Sequence, residues 1–280
     1  MQKTMKKYFP IFVGPTLLAF IIAFAIPFIM GLYLSFCKFT TVTDATFVGW
    51  NNYLKMVQDK DFVHALLFTI AFTVVSMITI NVFSFLIALG LTRGIKGTNL
   101  FRTTFFMPNL IGGIVLGYIW QLIINGILLS SGVTITTNPK YGFWGLVVLM
   151  NWQLIGYMMI IYIAGIQNIS GDLIEAAKID GATNFQILKK ITIPLVMPSF
   201  TICLFLTLTN SFKLFDQNLA LTAGNPAKQT EMLALNIFNT FYGRVGYEGV
   251  GQAKAVIFFV MVAVIALVQL VLTRRKEVEN

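Results

Sequence analysis

The chain has 280 residues, of which 57% are hydrophobic and only 11% are charged. Soluble domains usually carry about a quarter charged residues, so this composition excludes an ordinary soluble enzyme and indicates an integral membrane protein. The formal net charge of +9 would suit a nucleic-acid-binding protein. However, the basic residues are grouped between apolar runs and not in one patch, as the topology of a membrane protein requires.

The basic residues form four clusters that mark alternate loops between the apolar runs. The clusters are Lys3, Lys6 and Lys7; Arg93, Lys96 and Arg102; Lys178, Lys189 and Lys190; and Arg274, Arg275 and Lys276. The cytoplasmic loops of membrane proteins are enriched in Lys and Arg. The pattern therefore predicts that these segments, and with them both termini, lie on the cytoplasmic side.

Six uncharged runs approach or exceed the roughly 20 residues that a membrane-spanning helix needs. They cover residues 8–37, 65–92, 103–139, 141–171, 191–212 and 255–273. The third run is longer than one span, so its end, at residues 130–132, is predicted to form an external loop. The sequence thus predicts an all-α integral membrane protein, a single polytopic domain over residues 1–280 with six transmembrane helices. The predicted external loops are residues 38–64, 128–140 and 213–254.

The first run starts with basic residues, as a secretory signal peptide does, but it is too long and lacks a small-residue cleavage site. It is therefore predicted to be a retained helix. Pro10, Pro15 and Pro27 should bend it, because proline cannot donate a backbone hydrogen bond. Neighbouring helices can satisfy the carbonyl groups that this leaves free.

A polar segment, EAAKIDGATNFQILKKITIP at residues 175–194, separates the fourth run from the fifth. Its residues predict a short helix over 173–179, a turn at Gly181, and a second helix that ends at Pro194. A membrane protein does not need such a segment to stay in the bilayer, which suggests that a cytoplasmic partner binds it. The alternative is a solvated loop held by its own caps.

With its flanks, this segment resembles the cytoplasmic signature loop of permease subunits of binding-protein-dependent ABC importers. The family pattern is Glu-Ala-Ala, three residues, Gly, nine residues, and then Ile-x-Leu-Pro. The matching residues here are Glu175, Ala176, Ala177, Gly181, Ile191 and Pro194. Ile193 stands where leucine is usual, which conserves volume.

Three further segments are similar to the carbohydrate branch of that family, so the resemblance covers most of the chain. They are FVGWNNY at 47–53, FRTTFFMPNLIGGIVLGYIW at 101–120 and LFDQNLALTAGNPAKQT at 214–230. The resemblance implies a permease in the cell membrane that translocates a sugar, a di- or oligosaccharide, delivered by an extracytoplasmic binding protein. It also implies a second homologous permease subunit and two ATPase subunits. ATP and Mg²⁺ would be bound by the ATPase, with no cofactor in this chain.

The resemblance assigns three groups of candidate residues. In the cytoplasmic coupling loop, residues 172–197, the residues that would dock the ATPase are Glu175, Ala176, Ala177, Asp180 and Gly181. In the last external loop, the residues that would contact the binding protein are Thr222, Ala223, Gly224, Asn225 and Pro226. By motif spacing, the substrate-binding positions are Gln153, Leu154, Tyr157, Asn210, Ser211 and Leu214.

The residue types at the substrate positions suit a sugar, whose hydroxyl groups bind amides and hydroxyls. Gln153 and Tyr157 are four residues apart and share a helix face. The alternative is that Asn210 and Ser211 only form hydrogen bonds to neighbouring helices, which is common in membranes. Lys213 follows shortly after them, and an acidic residue three positions later could form an ion pair with it. Such a pair would be part of the structure or of an external gate.

Other classes of membrane protein lack support in the sequence. The chain has no glycine loop with lysine for binding phosphate, so it is not itself an ATPase. An ion-coupled transporter usually has acidic residues or histidine within its spans, and the central parts of the six runs have none. A membrane-embedded enzyme would need a nucleophile with its base or a metal-binding motif. Cys37, Cys203 and His64 form no such group, so a non-catalytic translocation subunit without a metal site is predicted.

Overall fold

The computed structural model of the protein describes residues 2–274. Almost all of the regular structure is helical. The α-helices are α1 (Gln2–Phe20), α2 (Ile26–Leu34), α3 (Asn51–Gln58), α4 (Lys60–Leu91), α5 (Thr98–Phe106), α6 (Gly113–Leu128), α7 (Pro139–Gln167), α8 (Gly171–Ile179), α9 (Asn184–Ile187), α10 (Ile193–Leu195), α11 (Met197–Phe212), α12 (Asp216–Leu221), α13 (Leu233–Gly243) and α14 (Glu248–Arg274). Two short strands, β1 (Cys37–Lys38) and β2 (Thr46–Phe47), pair antiparallel, with Cys37 opposite Phe47.

Within residues 2–274, five helices are long and apolar enough to cross a membrane. They cover Phe12–Leu34, Lys60–Leu91, Gly113–Ser131, Pro139–Gln167 and Glu248–Arg274. A sixth span results if Asn184–Leu195 and Met197–Phe212, which meet at a bend of 65°, form one broken span. The prediction of an all-α, multi-span membrane protein is confirmed. Arg275 and Lys276, from the last basic cluster, lie outside the described residues.

A π-helical segment, Ile21–Ala25, joins α1 to α2. Its closing bond runs from the Ile26 N–H to the Ile21 carbonyl, one residue further than in an α-helix. Pro27 follows directly, and because it has no N–H, the hydrogen-bond ladder adjusts around it. Leu188–Thr192 has the same arrangement, with Ile193 bonded back to Leu188 just before Pro194. At Pro10 and Pro15, by contrast, α1 continues without a break.

The third apolar run is broken near its start, although the sequence predicted a loop only at its other end. α5 ends at Phe106, a 3₁₀ turn covers Met107–Leu110, and α6 begins only at Gly113. Pro108 lies in the 3₁₀ turn, and the backbone of Ile111 is extended, with φ −85° and ψ 130°. At the other end, α6 passes into a 3₁₀ turn and a left-handed Gly132, in the region where a loop was predicted.

The chain folds into two units, each with its own internal packing. Of the described residues, the first unit comprises 2–62 and 237–260, and the second comprises 63–236 and 261–274. In the first unit, the Asn52 amide donates to the Ser35 carbonyl at 2.9 Å and to the Cys37 carbonyl at 2.8 Å. Tyr53 lies 2.7 Å from the Ser35 hydroxyl. These bonds hold α3 against the chain that follows α2. The predicted single domain over 1–280 stays a prediction.

The first unit also contains a charged cluster that sequence reasoning missed. The Lys254 side chain, in α14, is fully buried, and its ammonium donates to Asp59 Oδ2 at 2.8 Å and to Thr240 Oγ1 at 2.7 Å. Arg244 lies 3.7 Å from Asp59 and 3.1 Å from Asp61. Burial raises the pKa of the Asp59 carboxyl. The hydrogen bond and charge of Lys254, with further support from Asp61 N–H and Arg244, outweigh burial and hold that pKa below its usual value.

The core of the second unit is built around α7, whose inward residues such as Leu146, Leu149 and Met158 are fully buried. Hydrogen bonds connect α7 to α4: the Tyr162 hydroxyl donates to Asn81 Oδ1 at 2.7 Å. At Gly156 a Cβ atom would overlap the Phe105 carbonyl, so α5 lies directly on the α7 backbone. This close packing brings the break after α5 near the middle of α7.

Candidate functional site

The predicted helix, turn and helix between the fourth and fifth spans are present. α8 ends in a Schellman motif, in which Ala182 N–H binds the Ala177 carbonyl at 2.9 Å and Gly181 N–H binds the Lys178 carbonyl at 3.0 Å. Gly181 has φ +80°, a left-handed conformation that β-branched residues rarely adopt. Thr183 then caps α9 through a capping box with Gln186. The second helix continues to Leu195, one residue beyond the predicted end.

The predicted docking residues lie on the exposed side of this loop. Glu175, Ala176, Asp180 and Gly181 are exposed, whereas Ala177 is half-buried. Large apolar side chains flank them: Ile179 is 81% exposed and Phe185 is 70% exposed. Exposed apolar side chains next to polar ones are typical of a surface that binds another protein. The loop thus presents apolar and polar side chains together on its exposed side, and its docking role stays a prediction.

A cavity of about 590 Å³ lies in the second unit, where α7 and α11 approach the break after α5. Its lining is mostly polar and contains one charged residue, a lysine. The lining residues are Asn109, Met150, Gln153, Leu154, Tyr157, Leu206, Asn210, Lys213, Leu214 and Gln217. The structure thus brings together all the predicted substrate positions except Ser211. Because Ser211 is fully buried next to Asn210 on α11, its hydroxyl does not line the cavity.

Hydrogen bonds already engage some of these polar groups. Gln217 donates to Gln153 Oε1 at 2.8 Å, and Gln153 Nε2 lies 3.5 Å from the Ile111 carbonyl, at the limit of a hydrogen bond. These contacts connect α12, α7 and the break before α6. Asn210 donates to the Leu206 carbonyl of its own helix at 2.8 Å, and its side-chain oxygen accepts no hydrogen bond from the described residues. A ligand can therefore reach Asn210 without displacing a contact between helices.

Sequence reasoning missed several lining residues. Leu206 lies one helical turn before Asn210, and Met150 lies one turn before Leu154, so helical spacing could have found both. Asn109 follows Pro108 in the helix break, and an interrupted hydrophobic segment is a signal for a binding site in transporters. Gln217 had no comparable signal.

Lys213 and Asp216 were expected to be spaced for pairing, but no ion pair joins them within residues 2–274. The reason is that α11 ends at Phe212 and α12 starts at Asp216, so the two residues do not lie on one helix. Lys213 lines the cavity instead.

The loop after α12 presents only part of its predicted contact set to the exterior. Ala223 and Asn225 are exposed and Pro226 is half-buried, whereas Thr222 and Gly224 are buried. Ala223 and Gly224 both have positive φ, at 48° and 82°. Thr222 and Gly224 thus support the loop from within, and only the other three can contact another protein directly.

Asn218, which sequence reasoning did not single out, organises this loop. It is fully buried, donates to the Thr230 carbonyl at 2.8 Å and accepts from Met232 N–H at 2.9 Å. Thr230 in turn donates to the Asn225 carbonyl at 2.7 Å. Because buried polar groups need partners, these bonds hold the exposed tip of the loop in one conformation.

Comparison with known proteins places the chain among transport components. Residues 80–278 match the family described as the binding-protein-dependent transport system inner membrane component. The probable starch degradation products transport system permease protein AmyD of Thermoanaerobacterium thermosulfurigenes is 46% identical over 279 residues, which cover 96% of this chain and 94% of that protein. The trehalose/maltose transport system permease protein MalF of Thermococcus litoralis is 30% identical, over 91% and 90% of the two chains.

The fold is also similar to that of a solved transporter chain. In the crystal structure of a bacterial ABC transporter involved in import of the acidic polysaccharide alginate, one chain superposes with a TM-score of 0.83. The match covers 98% of both chains at 21% sequence identity. By the family match over residues 80–278 and the 46% identity to the AmyD permease, the chain belongs to the family of inner membrane components of binding-protein-dependent transport systems.

Proposed function

We propose that this chain is the permease subunit of an ABC importer for a sugar, a di- or oligosaccharide, and that the cavity beside α7 and α11 holds the sugar during translocation. The observation that carries the proposal is the cavity itself, about 590 Å³ and lined by amides, a phenol and an ammonium. Ligand pockets for small molecules usually measure about 300–1,000 Å³.

The lining suits a sugar better than it suits an apolar solute or an ion. Asn210 and Asn109 supply amides that both donate and accept hydrogen bonds, as each sugar hydroxyl requires. Tyr157 adds an aromatic face for the apolar side of a sugar ring. Relatives described as permeases for starch degradation products and for trehalose or maltose support the same class of substrate.

The importer would be assembled from several chains. In this proposal a soluble extracytoplasmic protein delivers the sugar to the loop at residues 222–226, and a second homologous permease completes the translocation path. Two ATPase subunits, which bind ATP and Mg²⁺, dock at the loop 172–197, and both termini of this chain face the cytoplasm. The exposed Ile179 and Phe185 support docking there, because a partner would remove them from water.

The sugar site is tested by replacing Tyr157 or Asn210 with alanine. We expect uptake to fall by a factor of roughly 2 to 10, because loss of one hydrogen-bond partner costs about 0.5–1.5 kcal/mol. The measurement is uptake of two sugars of different length, normalised to assembled complex, together with the sugar affinity of the binding protein, which should not change. An equal fractional loss for both sugars would favour a packing role for these residues. Ser211→Ala is the matched control, because Ser211 lies on the same helix outside the cavity.

The docking role of the loop is tested by Glu175→Ala. Glu175 is exposed, so its loss should hardly change the stability of the fold. If it pairs with a basic group of the ATPase, less ATPase should co-purify with the variant than with the wild-type chain. Asp172→Ala, which removes a neighbouring exposed carboxylate of α8, serves as the control. Unchanged ATPase retention and transport in Glu175→Ala would argue against this role.

A further inference from the structure

The short helix α3 has three different faces. Asn52 and Met56 are buried against the first unit. Lys55 lies on an exposed polar edge. The remaining face carries an apolar stripe, defined here as Leu54 and Val57 together with Trp50, the residue just before α3; they are 59%, 67% and 67% exposed. One side of the Trp50 ring packs on Phe36 and Tyr53, and the rest of the ring is exposed. The spacings of four and three residues place these side chains on one side of a helix.

The position of α3 is constrained at both ends. At one end Asn52 binds the carbonyl groups of Ser35 and Cys37, which directly follow the span that ends at Leu34. At the other end only Asp59 separates α3 from the span that begins at Lys60. Because consecutive residues of a chain are about 3.8 Å apart, α3 lies close to the ends of these two apolar helices, and so near the surface of the membrane that they cross.

Contact of an exposed apolar stripe with water is unfavourable, so lipid or another protein is expected to cover the stripe. The stripe is next to two membrane spans, whose exposed apolar side chains lie in lipid, so the same lipid reaches it without any further component. Tryptophan is enriched at the membrane–water interface. Amphipathic helices that lie in this interface bury one apolar face below the headgroups and keep basic residues outside, as Lys55 would be.

We propose that α3 is an interfacial anchor whose Trp50, Leu54 and Val57 side chains insert into the outer leaflet of the membrane. The helix then holds the outer ends of the first two spans at a fixed depth. The proposal does not depend on the transported substrate, and a sugar-independent measurement can test it.

Spin labels on single introduced cysteines give a direct test. The native Cys37 and Cys203 are buried, so labels attach selectively to exposed positions. The variants are Leu54→Cys and Val57→Cys on the stripe, with Asn51→Cys and Lys55→Cys as matched controls on the polar edge. The full chain, with the subunits that co-purify with it, is reconstituted in vesicles of phosphatidylcholine and phosphatidylglycerol. Collision rates are measured with oxygen, which concentrates in lipid, and with a water-soluble nickel chelate.

We expect the ratio of oxygen to nickel collisions to be several-fold higher at the stripe positions than at the control positions. Equal ratios at all four positions would overturn the proposal, because the stripe would then be no closer to lipid than the polar edge is. Shielding of the stripe from both reagents would also overturn it, because it would indicate a covering protein. If a cysteine variant fails to assemble, Trp50→Phe is compared with the wild-type chain in brominated lipid. The variant should then lose part of the fluorescence quenching, and unchanged quenching would reject the anchor.

Discussion

Replacing Gly181 with valine should abolish most coupled transport while the chain remains in the membrane and assembles. Gly181 has φ +80°, and a left-handed conformation costs an L-residue roughly 1–2 kcal/mol, most of all a β-branched one. That cost would distort the Schellman turn that orients α8 against α9. A change of this size corresponds to a factor of roughly 5–30 in an equilibrium between competent and distorted loops. Uptake per assembled complex is the measurement.

Two variants separate backbone strain from added bulk at this turn. No atom lies within 4 Å of a Cβ at Gly181, and the same holds at Gly171. Gly171→Val therefore adds the same exposed bulk to the same loop without a positive φ, and should transport normally. Gly181→Asn should retain more activity than Gly181→Val, since asparagine tolerates the left-handed conformation. Normal uptake by a fully assembled Gly181→Val complex would show that the turn is not needed for coupling.

Replacing Asp59 with asparagine should destabilise the protein by about 3–5 kcal/mol, because it removes the carboxylate that lies 2.8 Å from the buried Lys254 ammonium. The melting temperature in detergent should fall by an amount on the order of 10 °C. Asp44→Asn is the control, since Asp44 is an exposed aspartate of the same unit that only caps a turn. That change should lower the melting temperature much less than Asp59→Asn does, because it only weakens the cap of an exposed turn.

The double variant Asp59→Asn with Lys254→Met tests the cause of this loss. Because it removes both charges, it should be clearly more stable than Asp59→Asn alone. The pKa of Asp59 is lower in the folded protein than its usual value. The stabilisation is therefore fully present above about pH 4 and is lost only as the pH falls through the folded pKa. A double variant as unstable as the single one would show that the ion pair is not the source of the effect.

Features that are determined by residues close together in the chain were predictable from the sequence. The turn at Gly181 is one, because glycine between two helix-forming segments specifies a C-cap wherever it occurs. The spans were predictable from their apolar composition. The break in the third span was not, because the run stays apolar on both sides of Pro108, which lies in the break. The contact of Asp59 with Lys254 was not predictable, since 195 residues separate them. In the sequence, Lys254 is merely the residue before an apolar run.

In the candidate site, too, the features set by local sequence were predictable and those set by packing between distant residues were not. Helical spacing placed Gln153 and Tyr157 on one face, and both line the cavity. Spacing alone could not tell that Asn210 faces the cavity while Ser211, the next residue, is buried elsewhere. That distinction depends on how α11 is rotated, which only its packing determines. Gln217 enters the site because α12 folds back after α11 has ended, which no local pattern indicates.

The π-helical segment Leu188–Thr192 has a consequence for helical phase. Relative to an α-helix it contains one extra residue, so the chain on one side is turned by about 100° about the helix axis relative to the other. Deleting a single residue there would restore α-helical bonding and rotate the exposed loop around Gly181 by that angle relative to α10. The number of residues in this π-helical segment thus determines the direction in which the loop around Gly181 faces. Insertions or deletions within the segment should therefore be far more harmful than substitutions.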